Sequence, residues 1–258
     1  MQEERNTAGK GGPASVIHLP ETPVMEREMS IGPPRAAALH CWDPRPGEIF
    51  TLVGPRGTFY RGRLIGFNGE TATVVPFHRF DGPVESPVDI RLFQALPEKE
   101  RFELILQKAT ELGAYGITPF QSRRSTTLAA REKGQRKSHR WPHILLRAAR
   151  QCRRAMIPEL SPPLSWEEML KIAGQADLTL LLYEREGSRT LGEALAGFRG
   201  KSLSIIVGPE GGLIRPEADA VLRAGGQAVS LGNRILRTET AAITALGLAQ
   251  HLVGDLGG

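Results

Sequence analysis

The chain has 258 residues, 40% of them hydrophobic, with a formal net charge of +5, and no run approaches the roughly 20 apolar residues that a membrane-spanning helix needs. The segment from Met1 to Ser15 is polar and lacks the apolar core of a signal peptide, and the cysteines, Cys41 and Cys152, have no CxxC spacing. These features argue against a membrane protein, a disulfide framework and a metal site, and they predict a protein of the reducing cytoplasm.

The first third of the chain is expected to form a disordered tail, residues 1–25, followed by a small β-barrel, residues 26–95. Four runs in this region are rich in β-branched and aromatic residues and are separated by glycines, which is typical of short strands joined by turns. The runs are Glu48–Val53, Thr58–Phe67, Thr71–Phe77 and Val88–Gln94.

A helical pattern begins after residue 95. The run Arg101–Leu112 has apolar residues on one helical face and is followed by Gly113, a typical C-terminal stop. A second helix is predicted near Ser138–Arg153. It overlaps the basic block, residues 121–154, which carries eleven basic residues and one acid, whereas the segments before and after it have net charges of −2 and −3.

This concentration of positive charge predicts a surface that binds a polyanion. Arginines outnumber lysines nine to two in the basic block, and the planar guanidinium suits phosphate and stacks on bases, which favours nucleic acid. A solvated loop and helix face is the alternative interpretation, and a GC-rich genome would produce the same excess of arginine. The residues assigned to RNA binding are Arg123, Arg124, Arg131, Arg136 and Lys137.

Strands and helices alternate from residue 178 onwards. The predicted strands include the largely apolar run Leu203–Val207, which is typical of a buried parallel strand. Alternation of this kind predicts an α/β domain with a parallel sheet, here residues 96–258. The other elements are strands Leu178–Tyr183 and Gln227–Leu231 and helices Thr190–Phe198, Pro216–Ala224 and Thr238–Val253.

A glycine-rich loop, Gly208-Pro209-Glu210-Gly211-Gly212, follows the strand Leu203–Val207. Glycines at the carboxyl end of a strand let a ligand approach the backbone, at the edge where open α/β sheets bind ligands. The loop lacks the Lys-Ser/Thr pair of a phosphate-binding loop, and Glu210 would repel pyrophosphate but suit a cationic ligand such as a sulfonium. The alternative to a ligand-binding role is an ordinary glycine-rich turn.

A second loop, residues 231–237, follows the next strand and leads into the last helix. Two loops at neighbouring strand ends would form one crevice, with Arg237 at its mouth. Thr238 and Glu239 open the helix, where a threonine can cap the first turn and a carboxylate is stabilised by the helix dipole. Such a capping role, which needs no ligand, is the alternative for both residues.

Together with Gln107–Gly113 and Gln151–Pro158, the two loops resemble the SPOUT superfamily of knotted methyltransferases and, within it, the bacterial RsmE family of 16S rRNA uridine N3-methyltransferases. The most specific segments are Gly208–Gly212 and Leu231–Ala241. The resemblance covers about residues 30–258 and implies an RNA-binding barrel of the PUA-like type and a C-terminal trefoil knot. It also implies a homodimer whose active site lies near the subunit interface.

The activity implied by the resemblance is methylation of N3 of a uridine, position 1498, in the 16S rRNA of the small ribosomal subunit, with S-adenosyl-L-methionine (SAM) as the methyl donor. The substrate would be the naked rRNA or the assembled subunit. The knot would form the SAM pocket. Carried over by motif, its walls are Leu182, Gly208, Gly211, Leu231, Gly232, Ile235, Leu236, Thr240 and Ala241.

Catalysis must remove the proton from uracil N3 and stabilise the anion that spreads over O2 and O4, a task suited to arginine. The candidates are Arg237 and Arg154, with Glu239 as a candidate base. The chain departs from the family at Arg150, where glutamate is common, and at Glu98-Lys99, where Lys-Gly is usual. Both positions lie where the RNA substrate is expected to bind. Another target, such as a ribose 2′-hydroxyl, and a non-catalytic rRNA-binding assembly factor are the alternatives.

Overall fold

The structure is a computed structural model that describes residues 11–126, 140–183 and 189–257. It divides into two compact units, the first formed by residues up to Glu85 with Leu145–Glu159, and the second by Ser86–Ile144 with Leu160–Gly258. The first unit contains a mainly antiparallel sheet and the second a parallel sheet with helices. This architecture confirms the prediction of an α/β protein with a parallel sheet.

The first unit is a five-stranded sheet in the order β1-β3-β4-β5-β2, in which only the β1–β3 pair is parallel. Strands β4 and β5 bury alternate residues, such as Leu64 and Val74, because successive side chains point to opposite faces of a strand. The elements are β1 (Ile17–His18), β2 (Met29–Ile31), α1 (Ala37–His40), β3 (Ile49–Val53), β4 (Phe59–Asn68) and β5 (Thr71–Arg79).

Of the predicted disordered tail, residues 1–25, residues 1–10 lie outside the described part of the chain, and the prediction is wrong for residues 12–18. Gly12–Ser15 forms a 3-10 helix, and Ile17 is fully buried and pairs with Leu52 of β3. The indole N–H of Trp42 donates to the carbonyl of Ser15 at 2.7 Å, which fixes the segment further. The segment contains too few apolar residues to show a period, so its order comes from partners that are distant in sequence.

The second unit is a seven-stranded sheet in the order β10-β12-β9-β11-β6-β7-β8. Its strands are β6 (Asp89–Ala95), β7 (Gly116–Phe120), β8 (Glu159–Leu160), β9 (Leu178–Leu182), β10 (Arg189–Thr190), β11 (Ser202–Val207) and β12 (Gln227–Ser230). Its helices are α2 (Lys99–Glu111), α3 (Trp141–Cys152, of which Leu145 onwards belongs to the first unit), α4 (Trp166–Ala173), α5 (Leu191–Leu195), α6 (Arg215–Arg223) and α7 (Thr238–Val253).

Strand β6 was assigned to the barrel from sequence, but it lies in the parallel sheet of the second unit, between β11 and β7. Ile90, Leu92 and Phe93 are fully buried because the strand is covered on both faces. A short apolar run of this kind is compatible with a strand of either the barrel or the parallel sheet. Strand β7 was not predicted. It contains Pro119, and proline is usually confined to edge strands because it cannot donate a backbone hydrogen bond.

The parallel arrangement brings several strand ends to one edge of the second sheet. Val207, the last residue of β11, pairs with Leu182 at the end of β9 and with Gln94 near the end of β6. Leu182 also pairs with Val229 of β12. The loops that follow β11 and β12 therefore start from the same edge, as the sequence predicts.

Cys41 and Cys152 are not joined by a disulfide. Within the described ranges no helix combines the length and apolar character needed to cross a bilayer. The same residues bring together no group of three His, Cys, Asp or Glu side chains that could hold a metal ion.

Candidate functional site

A buried hydrogen-bond network joins the two predicted ligand loops. The hydroxyl of Thr238 donates to the carbonyl of Gly208 at 2.6 Å. The side-chain nitrogen of Gln94 lies 3.0 Å from the Thr238 hydroxyl and 3.2 Å from the Gly208 carbonyl. The start of α7 is thereby fixed to the first residue of the glycine-rich loop and to the end of β6.

Two features of this network were not predicted. Thr238 does not cap α7, because Arg237 is the N-cap residue and makes no capping bond through its side chain, while the Thr238 hydroxyl is directed to Gly208. Gln94 is fully buried near the end of β6, between the apolar residues Phe93 and Ala95. A buried amide requires hydrogen-bond partners, so a glutamine in such a run is the signal that could have found it.

Glu210, which from sequence would suit a cationic ligand, is bound by groups of α2 and its N-cap. Its carboxylate accepts a 2.8 Å hydrogen bond from the backbone N–H of Glu98, at the start of α2, and lies 3.3 Å from the guanidinium of Arg101. The side chain therefore anchors the glycine-rich loop to α2. With this charge engaged, the loop offers mainly backbone groups to a ligand.

Arg124 also contacts the glycine-rich loop. Its guanidinium donates to the carbonyl of Gly211 at 2.9 Å. A Cβ placed on Gly211 would lie 3.4 Å from the Cβ and Cδ atoms of Arg124, so the arginine stem covers one side of this glycine. The neighbouring Arg123 is held through its backbone N–H, which donates to the buried carboxylate of Glu217 at 2.8 Å.

The two arginines just described were predicted to bind RNA, and both are exposed. The contact between Arg124 and Gly211 places this end of the basic block at the glycine-rich loop. The other three predicted RNA-binding residues, Arg131, Arg136 and Lys137, lie outside the described residues.

The second loop is shaped by Ser230 and Gly232. The Ser230 hydroxyl accepts a 3.0 Å hydrogen bond from the N–H of Gly232, which has φ +110°, a conformation that side chains oppose. Ile235 follows on this loop and is 92% exposed. A large apolar side chain held in solvent beside a backbone-lined loop is typical of a surface that receives a ligand or partner.

The nine predicted cofactor-binding residues lie at the ends of three adjacent strands and at the start of α7. Leu182 ends β9, Gly208 and Gly211 follow β11, and the others follow β12 or begin α7. Those remaining residues are Leu231, Gly232, Ile235, Leu236, Thr240 and Ala241. The topology therefore brings the predicted set to one edge of the sheet.

Arg237 and Glu239 lie at the amino end of α7 in the same region. The side chain of Arg237 is exposed and makes no hydrogen bond or ion pair with any residue that the structure describes. Glu239 is half-buried, and its Oε2 atom is buried without a partner among the described residues. An available cation and an unsatisfied carboxylate oxygen thus follow directly from Thr238.

Arg154 was predicted to be catalytic, but it is held in the first unit. Its side chain is 7% exposed, and its guanidinium donates to the carboxylate of Glu85 through Nε at 3.1 Å and Nη2 at 2.7 Å. Glu85 also accepts the backbone N–H of Ala155 at 2.7 Å. A guanidinium engaged in this way fixes the chain after α3, which does not favour the predicted role as an anion-stabilising group.

Comparison with known proteins gives consistent results. A family model described as an RNA methyltransferase domain matches residues 84–250. The ribosomal RNA small subunit methyltransferase E of Mycobacterium bovis is 38% identical over 213 residues, 79% of this chain and 78% of that protein. Its Bacillus subtilis counterpart is 35% identical over 172 residues, 65% of this chain and 67% of that protein.

Solved structures agree with these relatives. The crystal structure of a ribosomal RNA small subunit methyltransferase E from Neisseria gonorrhoeae, bound to S-adenosyl methionine, is 30% identical, with a TM-score of 0.63. The match covers 93% of this chain and 98% of that one. From the matched domain, the relatives and the fold, the chain belongs to the ribosomal RNA small subunit methyltransferase E family.

Proposed function

We propose that this protein methylates N3 of a uridine, position 1498, in the 16S rRNA of the small ribosomal subunit, with SAM as the methyl donor. The observation that carries the proposal is the Gln94–Thr238–Gly208 network, which fixes two candidate ligand-binding loops at one edge of the parallel sheet. The relatives are named for modification of small-subunit rRNA, and one was solved with SAM. The cytoplasm, where ribosomes assemble, is the expected location.

The loop residues fit SAM. Gly208, Gly211 and Gly232 offer backbone groups without side chains in the way, and the carboxylate of Glu210 is turned to Arg101. Leu182, Leu231 and Leu236 are half-buried at the same edge and supply apolar surface for an adenine ring. When bound, SAM supplies an electrophilic methyl group on its sulfonium.

The chain's own residues would perform the rest of the reaction. Uracil N3 must lose its proton before its lone pair can bond to the methyl carbon as the carbon–sulfur bond breaks. Arg237 would hold the negative charge that develops on O2 and O4, because its guanidinium is available at the N-cap of α7. Glu239 is proposed as the proton acceptor, since one of its carboxylate oxygens is unsatisfied.

We also propose a knot and an RNA-binding module, as the resemblance to the family implies. The loops after β11 and β12 would form a trefoil knot around the methyl donor, and the sheet of the first unit would be a PUA-like RNA-binding module. These assignments are supported by family membership and by the loops' position at one sheet edge.

The target atom can be tested directly. The purified protein, incubated with SAM and either naked 16S rRNA or small subunits from a deletion strain, is expected to yield N3-methyluridine on nucleoside mass spectrometry. A ribose 2′-O-methyl product would instead support the alternative target. SAM binding without any methylated nucleoside on either substrate would favour the non-catalytic assembly factor.

We also propose that the protein is a homodimer, in which α7 contributes to the interface. Leu248 and Leu252 are one helical turn apart on α7 and are 41% and 46% exposed, and Leu104 of α2 is 40% exposed. Apolar side chains left in solvent on neighbouring helices favour association. Light scattering at micromolar concentration is expected to give twice the chain mass, and a monomer would contradict the proposal.

A further inference from the structure

Helix α3 ends in a conformation that is unusual for the residue that adopts it. Arg153 has φ +59°. The N–H of Arg154 donates to the carbonyl of Ala149 at 3.0 Å, and the N–H of Arg153 donates to that of Arg150 at 3.3 Å. These two bonds define a Schellman turn, whose left-handed position normally holds glycine because a Cβ there crowds the backbone. An arginine at this position is strained, which points to a use for its side chain.

The sheet of the first unit holds this turn by its backbone. The carbonyl of Arg153 accepts hydrogen bonds from the hydroxyl of Thr51 at 2.7 Å and from the guanidinium of Arg61 at 2.6 Å. Thr51 and Arg61 are paired residues of β3 and β4. Because these contacts use only the carbonyl, the exposed side chain of Arg153 is left available.

The charges of Arg61 and Arg153 are not paired with an acid in the described part of the chain. Burial, and then the charge of Arg153, lower the pKa of Arg61 below its ordinary value. Arg150, by contrast, is paired with Glu48. Two like charges that have no ion pair of their own create a potential that attracts an anion.

The surroundings suit RNA rather than a small anion alone. Arg153 lines a pocket of about 280 Å³ in the first unit, together with Thr51 and Glu48. The guanidinium carbon of Arg61 lies 5.0 Å from the centroid of the Phe80 ring, and His78 meets that ring edge-on at 4.8 Å. Aromatic rings beside arginines are the combination that stacks bases and binds the backbone of single-stranded RNA.

We propose that Arg153, with Arg61 beside it, contacts a phosphodiester group of the RNA substrate, and that the left-handed turn after α3 serves to present this side chain. The inference rests on the proposed function, since it takes RNA as the ligand. A simpler role would be to complement the partial negative charge at the end of α3, which requires no RNA. The two roles differ in what a glycine at this position would do.

The test is Arg153→Gly, because glycine accepts the left-handed conformation. The full-length variant is expected to be at least as stable as the wild type in thermal unfolding, with unchanged SAM affinity by calorimetry. It should bind a fluorescent 16S rRNA fragment at least about threefold more weakly, with a salt slope smaller by about one, as for one lost phosphate contact. Arg153→Asn, which tolerates the same conformation, should weaken RNA binding similarly if the glycine variant fails to fold.

Arg56→Gly is the matched control. Arg56 has φ +65° in the same unit, so the substitution removes the same charge and relieves similar strain. It should leave RNA affinity and salt slope unchanged. The inference is overturned if Arg153→Gly binds RNA like the wild type, or if both variants weaken binding equally. Failure of the proposed function would appear differently, as absence of methyl transfer by the wild-type protein.

Discussion

Arg237→Ala is expected to lower the single-turnover rate of methyl transfer by about 10²-fold or more, while the affinities for SAM and RNA stay near those of the wild type. The reason is that the guanidinium at the N-cap of α7 has no partner in the described structure and would act on charge that develops only in the transition state. Rapid-quench measurements with saturating enzyme separate this rate from binding.

Three further measurements sharpen the assignment of Arg237. Arg237→Lys should restore only part of the rate, because a point charge cannot reproduce the planar guanidinium. Higher pH should partly restore Arg237→Ala, since more uracil loses its N3 proton without help. Arg234→Ala, an exposed arginine of the same loop, is the matched control and should stay within about twofold of the wild type. Weaker RNA binding with an intact rate in Arg237→Ala would make Arg237 a phosphate contact instead.

Gly211→Val is expected to reduce SAM affinity by at least about tenfold, and more if the loop cannot relax. A Cβ at this position already reaches contact distance with the stem of Arg124, whose guanidinium holds the Gly211 carbonyl. The two additional methyl groups must therefore press on Arg124 or occupy the open side of the loop. Isothermal titration calorimetry with SAM measures the effect.

Gly211→Ala and Gly192→Val are the control variants for this measurement. Alanine adds only the Cβ that fits in ordinary contact with Arg124, so it should weaken SAM binding much less than valine does. Gly192 is exposed on α5, and nothing lies near the position of its missing Cβ. The same valine there should leave the affinity unchanged. Equal affinities of folded Gly211→Val and wild type would remove the glycine-rich loop from the site.

The loops and strands of the candidate site could be predicted because their signals are local. The run Leu203–Val207 is apolar except for Ser204 and lies within β11, and the glycines that follow it mark the end of the strand. The loop after β12 could be placed for the same reason. Parallel strands then bring such loops together without further information.

The roles of individual polar side chains could not be predicted, since they depend on partners that are distant in sequence. Glu210 is bound at the start of α2, and Arg154 is bound by Glu85, 69 residues earlier in the chain. The pattern around Arg154 shows only an arginine in a basic block. Charge patterning therefore indicates that a surface binds an anion, but not which of its cations remain available.

The pairing of β6 with β11 has a consequence for the order of events during synthesis. These central strands are separated by most of the second unit's chain, and Thr238 reaches Gly208 only once α7 is in place. Contacts of such long sequence separation form slowly, because the intervening chain must lose its freedom before they stabilise anything. A nascent chain that lacks its last helix would therefore lack the proposed methyl-donor site, and cofactor binding would report that synthesis and folding of the second unit are complete.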